Sequence, residues 1–347
     1  MRTYLNETGV PLSVAVYLAS DFYDYIPGAI SATGLIKPVR QIVLSKRVPP
    51  EQNVTDILNL VQSRTGTSIH DGVEKAWTNN YAKAMQLLGY PQDVIDRIVV
   101  NPRELLEQYG YDIDRLIEEG TFLTEGPLPE NAIPVFMEIR HVKELNGVPI
   151  TGKFDFCAEG RVEDVKTTGT FTWIKASKDK DYQLQGSIYR WLNPNLIKQD
   201  TMLIQFFFTD WKAHEAKANP NYPQRRTEYK TIPLLSIDDT EEWVRSKLAQ
   251  IALFENADES YIPECTDEEL WREPPVWKYY KNPENTKRAT KNFDNPREAH
   301  DFMMSKHSGM GVIKEVPGQA KACNYCPAFS VCRQKDRLIA EGSLQPQ

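Results

Sequence analysis

Three consecutive strand patterns, joined by short turns, constrain the fold of this chain more than any other feature. Strand-type sequence runs from Val135 to His141, from Ile150 to Ala158 and from Arg161 to Thr168. The turns fall at Asn146-Gly147 and Glu159-Gly160, dipeptides that suit tight hairpins. The order therefore predicts an antiparallel meander of strands in this stretch.

Helices and one further strand surround this meander. The apolar run Met202–Phe208 is typical of a strand that is buried on both faces. This order predicts an α/β fold, with a mixed central sheet flanked by helices, a helical N-terminal lobe and a C-terminal region that carries four of the five cysteines. The helical patterns lie at 54–62, 66–88, 92–108, 181–192 and about 239–256.

Charge is distributed unevenly over the three regions that these patterns define. We expect the helical lobe to span 1–130, the core 131–256 and the cysteine region 257–347. The 347 residues carry a formal charge of −7, yet residues 91–130 alone hold 3 Lys and Arg against 10 Asp and Glu. Because a net negative charge disfavours polyanionic partners, we expect this acidic stretch to be a solvated helical lobe turned away from any nucleic acid.

Hydropathy and cysteine number indicate the compartment. No apolar run in the sequence approaches the roughly 18 residues that a membrane-spanning helix needs, so no membrane association is expected. Five cysteines cannot all pair, and the apolar stretch 10–19 has no clear small-residue cleavage site. These features predict a cytoplasmic protein.

Two aspartates are expected to face each other across the second hairpin. If Glu159-Gly160 is the turn, residue 158 pairs with 161, and counting back places Asp155 opposite Asp164. Opposed carboxylates about 5 Å apart repel each other unless a cation lies between them. Lys166 points to the same face as Asp164, because side chains alternate along a strand. This group suits a Mg²⁺ site for phosphodiester hydrolysis, and solvated Asp–Lys pairs on a surface hairpin are the alternative.

Polar residues on two helical patterns extend this group. His70 and Glu74 lie four residues apart and so share one helical face. Gln185 and Tyr189 share a face of the helix that follows Lys166, from which they can reach a metal ion or a phosphate. A single histidine on a helix is more often structural, so the ordered set matters more than any one member.

This ordered set resembles a known enzyme family. Its parts are His70, Gly152-x-x-Asp155, Asp164-x-Lys166 and Gln185-x-x-x-Tyr189. Together they resemble the PD-(D/E)xK nucleases of the RecB type, over about residues 66–210, which implies a restriction-endonuclease-like core and Mg²⁺ or Mn²⁺ as cofactor. By this resemblance the catalytic group comprises Asp155, Asp164 and Lys166 with Gln185 and Tyr189 as positioning groups, the metal ligands are His70, Asp155, Asp164 and the Val165 carbonyl, and Glu138 is a further candidate.

The resemblance implies a metal-dependent DNA nuclease. We expect an exonuclease that hydrolyses phosphodiester bonds at DNA ends or in single strands, in recombination, repair or phage DNA metabolism. The segment Gly147–Lys153 is followed by Phe154 where an ATP-binding loop needs Ser or Thr, so a helicase or a single-strand annealing or binding protein is an expected partner. The alternatives are an endonuclease for flapped or branched DNA and a non-catalytic DNA-binding subunit.

Four cysteines form a candidate cofactor site. Cys323, Cys326 and Cys332 are closely spaced, and Cys265 precedes them. Four thiolates in a reducing compartment suit either Zn²⁺ or an iron–sulfur cluster. The run resembles the [4Fe–4S] sites of the AddB nuclease domain and of the CRISPR-adaptation nucleases, which implies a [4Fe–4S] cluster of structural role, with structural Zn²⁺ as the alternative. In those families the first cysteine precedes the core, whereas residues 37–40 contain none.

Two basic segments are candidate surfaces for nucleic acid. Cations can contact phosphates, and aromatic rings can stack on bases. Packing of the aromatic rings on the core, or simple solvation of the basic loop, is the alternative. The residues concerned are Arg225 and Arg226 in one segment and Trp277, Lys278, Tyr280, Lys281, Lys287 and Arg288 in the other.

Overall fold

The computed structural model describes residues 3–20 and 26–346. These residues form two compact units. The sheet unit contains residues 3–20, 26–36 and 54–249, and the cysteine unit contains residues 37–53 and 250–346. The three-part division expected from the sequence stays a prediction.

The helices and strands of both units are numbered in chain order. The helices are α1 (Leu12–Ala19), α2 (Ala32–Leu35), α3 (Val39–Ser45), α4 (Val61–Leu87), α5 (Gln92–Ile95), α6 (Arg103–Gln108), α7 (Ile113–Glu118), α8 (Thr170–Lys175), α9 (Asp179–Leu192), α10 (Ala213–Ala218), α11 (Ile237–Phe254), α12 (Pro296–His307) and α13 (Arg333–Ala340). The strands are β1 (Thr3–Leu5), β2 (Ile30–Ser31), β3 (Val54–Asp56), β4 (Ile98–Val100), β5 (Ile133–Leu145), β6 (Val148–Ala158), β7 (Arg161–Thr168), β8 (Thr201–Phe208), β9 (Thr227–Pro233), β10 (Val276–Tyr280), β11 (Lys291–Phe293) and β12 (Val312–Val316). Across residues 3–20 and 26–346, none of these helices combines the length and hydropathy of a transmembrane span.

A mixed sheet organises the sheet unit. Its strands follow the order β4-β5-β6-β7-β8-β9, and β2 also pairs with β6. β4 runs parallel to β5 and β7 runs parallel to β8, whereas β5, β6 and β7 are antiparallel neighbours. The predicted α/β fold with a mixed central sheet and flanking helices is therefore confirmed.

The two predicted hairpin turns are present. Asn146 and Gly147 have φ values of 53° and 75°, and Glu159 and Gly160 have φ values of 51° and 78°. Two successive positive φ angles match the twist of the flanking strands. Ala158 pairs with Arg161, as the turn position predicts, and the ladder continues through Phe156 and Glu163.

The long helix α4 packs on the sheet through the face that follows His70. Val73, Trp77 and Tyr81 contact a buried cluster in β4 and β5 that includes Val100 and Val135. The Trp77 and Phe156 rings have centroids 5.0 Å apart. This apolar contact fixes the rotation of α4, and with it the direction in which His70 points.

Helix α9 lies against β6 where Gly152 removes a side chain. A Cβ at Gly152 would lie 2.7 Å from Leu192 Cδ1 and 3.0 Å from Tyr189 Cδ1. The glycine of the Gly152-x-x-Asp155 motif therefore allows the close approach that brings α9 to the strand carrying Asp155.

Three local predictions are wrong. The helix predicted at 54–62 is wrong over Val54–Asp56, which pairs with β1 as strand β3, whereas Ile57–Leu60 forms a short 3-10 helix and Val61 begins α4. The helix predicted at 92–108 is interrupted by β4, whose β-branched residues Ile98, Val99 and Val100 pair with β5. The acidic stretch 91–130 is therefore not a purely helical lobe, since it contributes a strand to the central sheet.

The cysteine unit contains a small three-stranded sheet and residues 37–53 from the N-terminal part of the chain. Its sheet has the order β11-β10-β12, and Phe293 of β11 packs with Ala299 of α12. Val39, Val43 and Leu44 of α3 pack with Ile262 and Ala328. Helix α3 thus belongs to the same core as residues far along the chain.

Candidate functional site

The site is built first by α4 and β6, which bring His70 to Asp155. His70 Nδ1 lies 3.1 Å from Asp155 Oδ2. The same carboxylate oxygen accepts a hydrogen bond from the backbone N–H of Val165, at 3.0 Å. Asp155 is therefore held from both sides while 18% of its side chain remains exposed.

Glu138 completes a group of three ligand atoms. Met137 pairs with Phe156 and Ile139 with Phe154, which leaves Glu138 level with Asp155 on the neighbouring strand. One ligand atom from each of His70, Glu138 and Asp155 lies within 4.8 Å of the other two. Ligand atoms this close together could hold a single metal ion, and mixed His and carboxylate ligands suit a divalent cation.

The backbone of Glu138 is unusual for a strand. Its φ is 53°, a left-handed conformation that a residue with a side chain rarely adopts. Its carboxylate lies 2.9 Å from Lys153 Nζ. Strained residues of this kind concentrate at functional sites, and here the strain falls on a candidate ligand.

Asp164 and Lys166 lie on β7 beside this group. Lys166 Nζ is 2.5 Å from Asp164 Oδ2. Only 1% of the Asp164 side chain is exposed, against 26% for Lys166. The carboxylate is thus buried, whereas part of the lysine side chain is exposed.

Helix α9 fixes the orientation of Asp164. Gln185 Nε2 donates to Asp164 Oδ1 at 2.9 Å and lies 2.9 Å from the Tyr189 hydroxyl. Gln185 and Tyr189 are both buried. Gln185 contacts the carboxylate directly and Tyr189 contacts Gln185, so the pair acts on the site by holding Asp164 in place.

The carboxylates of the site differ in proton affinity. Burial opposes ionisation of Asp155, but the hydrogen bond and charge of His70 outweigh it and lower the pKa of Asp155. Burial raises the pKa of Asp164 to about 6, against the attraction of Lys166. Burial likewise raises the pKa of Glu138, assisted by the negative charge of Asp155. A divalent cation would relieve the repulsion among these carboxylates.

The two basic side chains of the site both have raised pKa values. Burial disfavours the charged form of Lys166, but Asp164 and Asp155 outweigh it and raise the pKa of the ammonium. Burial also disfavours charged His70, but the hydrogen bond that His70 donates to Asp155 and the negative charge of Asp155 outweigh it and raise the pKa. Lys166 is therefore a positive charge at the edge of the site rather than a neutral base.

The donor set of this site fits a hard divalent ion. The structure brings together His70, Asp155, Asp164, Lys166, Gln185 and Tyr189, whose sequence separation spans more than a hundred residues. It places Glu138 among the ligand atoms, and Lys153 beside Glu138. Lys153 was not among the expected site residues, although its place inside the Gly152-x-x-Asp155 motif was a usable signal. A ligand role for the Val165 carbonyl stays a prediction.

The four expected cysteines lie in the cysteine unit around two adjoining apolar clusters. Cys265 and Cys323 pack beside Leu270 and Ala320, and Cys326 and Cys332 pack beside Ile262 and Ala328. Burial raises the pKa of Cys265 to about 12, with added repulsion from Glu269, Cys332 and Cys326. The thiols are thus electrostatic neighbours, and a bound cation would stabilise their thiolates.

Gln334 explains how the distant Cys265 joins the other three. The Cys265 backbone N–H donates to Gln334 Oε1 at 2.9 Å, and Gln334 Nε2 donates to the Cys265 carbonyl oxygen at 3.0 Å. Gln334 is buried and lies two residues after Cys332. This paired contact fixes the backbone of Cys265 beside the C-terminal cysteine run.

The expected nucleic-acid residues differ in their availability. Tyr280 is 7% exposed and Trp277 packs on the core around Tyr279, so both rings have apolar packing partners, and stacking of either ring on bases stays a prediction. Arg225 Nη2 is paired with Glu228 Oε2 at 2.7 Å. Arg226 is exposed just before β9, Lys278 is half-buried in β10, and Lys281, Lys287 and Arg288 are exposed between β10 and β11.

Comparisons with known proteins give only distant similarities. No protein-family model and no curated protein matches the chain. The solved structure of SSO0001 aligns with 13% identity and a TM-score of 0.40, over 74% of this chain and 94% of the other. A phage-related exonuclease from Haemophilus somnus 129PT aligns with 15% identity and a TM-score of 0.25, over 64% of this chain and 90% of the other. At such TM-scores neither similarity carries an argument about this chain.

Proposed function

We propose that this chain is a metal-dependent DNA nuclease of the PD-(D/E)xK type, related to the RecB-type enzymes. The observation that carries the proposal is the convergence of His70, Glu138 and Asp155 within ligand distance, next to the Asp164–Lys166 pair. A buried carboxylate, a partly exposed carboxylate, an imidazole and an ammonium at one place suit phosphodiester hydrolysis with Mg²⁺ or Mn²⁺.

Each side chain has a definite task in this proposal. His70, Asp155 and Asp164 would hold the metal, with Glu138 as a further ligand. Mg²⁺ or Mn²⁺, when bound, supplies positive charge at the phosphate and lowers the pKa of a coordinated water. Lys166 places its ammonium against the phosphate, where negative charge develops during hydrolysis. Gln185 keeps the Asp164 carboxylate oriented through its hydrogen bond to Oδ1.

We propose DNA ends or single strands as the substrate and exonucleolytic digestion as the reaction. The sequence has no ATP-binding loop that would drive strand separation. A helicase or a single-strand annealing or binding protein would then supply the substrate, in recombination, repair or phage DNA metabolism.

The experiment compares end-labelled linear, closed circular and flapped DNA, each with Mg²⁺, Mn²⁺ or chelator. Linear DNA should be degraded from its ends, closed circles should survive, and chelator should stop the reaction. Cleavage of closed circles would replace the exonuclease by an endonuclease, and cleavage restricted to the flap would give a structure-specific one. Binding of DNA without cleavage of any substrate would leave a non-catalytic DNA-binding subunit.

A matched pair of variants tests the site itself. Asp164→Asn removes the buried negative charge at nearly constant volume, and digestion should fall to the level seen with chelator. Glu163→Gln changes the neighbouring carboxylate, which pairs with Arg161 at 2.8 Å, and digestion should persist. Wild-type activity in Asp164→Asn would contradict the site assignment.

We also propose that the four cysteines bind a structural [4Fe–4S] cluster. Each of Cys265 and Cys323 is close enough to Cys326 and Cys332 for their charges to interact. A four-iron cluster takes one thiolate on each iron, and structural Zn²⁺, which takes four thiolates at about 2.3 Å, is the alternative. Iron and acid-labile sulfide in anaerobically purified protein would support the cluster, whereas stoichiometric zinc would replace it.

A further inference from the structure

The cysteine unit contains a buried arginine that the proposed reaction does not use. Arg40 belongs to α3 and is 5% exposed. Its Nε donates to Cys332 Sγ at 3.3 Å, and its Nη1 donates to the Ile262 carbonyl oxygen at 3.0 Å. Its Nη2 forms an ion pair with Glu259. The Nε–H of the guanidinium thus donates its hydrogen bond to a sulfur atom.

Glu259 orients both this arginine and the chain next to Cys332. The Oε1 atom that pairs with Arg40 also accepts a hydrogen bond from the backbone N–H of Arg333, at 2.6 Å. Arg333 directly follows Cys332. A buried ion pair costs desolvation energy and persists where its geometry and remaining hydrogen bonds are good. Here that geometry aims a cationic N–H at one candidate ligand.

A cationic hydrogen bond to a ligand sulfur has a definite electronic effect. Hydrogen bonds to the sulfurs and the net charge around an iron–sulfur cluster are among the factors that set its reduction potential. Reduction adds negative charge to the cluster, and a nearby positive N–H donor stabilises the reduced state more than the oxidised one. Such a donor therefore raises the reduction potential.

We propose that Arg40 sets the reduction potential of the cluster bound at Cys332, through the Nε–H···Sγ hydrogen bond that Glu259 orients. This inference rests on the proposed [4Fe–4S] cofactor and adds a redox property to a site otherwise assigned a structural role. It also assigns α3 a role in setting the reduction potential, although the sequence of α3 contains no cysteine.

The test is a redox titration of the anaerobically purified holoprotein. Dithionite donates one electron to the cluster through mediator dyes and is itself oxidised, and the visible absorbance reports the reduced fraction. The variants are Arg40→Lys, which keeps the charge but removes the Nε donor, and the double variant Arg40→Met with Glu259→Gln, which removes the ion pair without leaving an unpaired carboxylate.

Arg47→Met is the matched control. Arg47 follows α3 and its Nη2 donates to the carbonyl oxygens of Phe254, Glu255 and Ala257. Its observed partners are thus backbone oxygens of the same unit. Arg47→Met should keep the wild-type potential, whereas Arg40→Lys and the double variant should both titrate at lower potentials.

The outcomes separate this inference from the cofactor on which it rests. Wild-type protein without iron and sulfide would overturn both. Wild-type potentials in cluster-containing Arg40→Lys and in the double variant would overturn the role of Arg40 and leave the cofactor in place. If the double variant does not assemble the cluster, the potential of Arg40→Lys decides the matter alone.

Discussion

At the scale of single residues, Glu138 carries the most information about the site. A left-handed φ of 53° inside a strand of 13 residues is costly for any residue with a Cβ. No pattern of apolar and polar residues reveals such an angle, since alternation reports the face of a strand and not its backbone torsions. The sequence therefore indicated Glu138 only as a candidate member of the site.

We predict that the usual order of stability between alanine and glycine is reversed at position 138. Glu138→Ala and Glu138→Gly both remove the carboxylate, but only alanine retains the Cβ that opposes a positive φ. The glycine variant should be more stable than the alanine variant by about 1 kcal/mol, measured by urea unfolding. In an ordinary strand alanine would be the more stable, and that result would mean that residue 138 relaxes once its carboxylate is gone.

Gln185 supports a second prediction at this scale. Gln185→Ala removes the hydrogen bond to Asp164, so the concentration of Mg²⁺ that gives half-maximal digestion should rise about 10- to 100-fold. Gln183→Ala is the control, because Gln183 lies on the same helix but donates to the Pro233 carbonyl oxygen. An equal effect of both substitutions would point to loss of helix stability instead of loss of orientation.

At the scale of elements, replacing glycine by alanine should have opposite effects on the free energy of unfolding in α4 and in α9. A Cβ at Gly66 or Gly72 of α4 would have nothing within 4 Å, whereas a Cβ at Gly186 of α9 would lie 2.3 Å from Met202 Sδ and 2.8 Å from Leu234 Cδ2. Gly66→Ala and Gly72→Ala should each raise the free energy of unfolding by about 1 kcal/mol. Gly186→Ala should lower it by about 1–3 kcal/mol. Chemical denaturation of the three variants measures both signs, and a stabilised Gly186→Ala would contradict the packing of α9.

The elements that were predicted correctly are those with a strong local signal. The two turns in the meander and the apolar strand β8 follow from dipeptides and runs that need no distant partner. Strand β4 was missed because its three residues lie inside a helical pattern. Their extended conformation is determined by pairing with β5. Short strands of this kind form through tertiary contacts and not through local preference.

The site could be predicted to the extent that its residues lie in one ordered motif. The grouping of Asp155, Asp164 and Lys166 was expected from hairpin register, and the turn at Glu159-Gly160 does set a ladder that runs as far as Phe156 and Glu163. The approach of His70 to Asp155 depends on how α4 packs on the sheet. The order of the motifs implied this approach, but helical periodicity alone could not have predicted it. Arg40 and Gln334 could not be found, because their contacts with cysteines join residues far apart in sequence.

At the scale of the whole molecule, loss of the cofactor should affect one unit first. Metal binding stabilises a small unit because its ligands come together only on folding. Cys265→Ser should therefore make the cysteine unit sensitive to limited proteolysis while the sheet unit resists, as mass spectrometry of the fragments would show. Cys157→Ser is the control, since Cys157 is buried in the sheet unit and its substitution should leave the iron and sulfide content unchanged. Uniform degradation of the Cys265→Ser variant would contradict the prediction.

The discontinuous cysteine unit has a consequence for biosynthesis. Helix α3 reaches its packing partners only after residues beyond 250 have left the ribosome. At about 5–20 residues per second, the roughly 200 intervening residues take about 10–40 s to translate. During that interval the apolar side chains of Val39, Val43 and Leu44 have no core to join and stay exposed on the nascent chain.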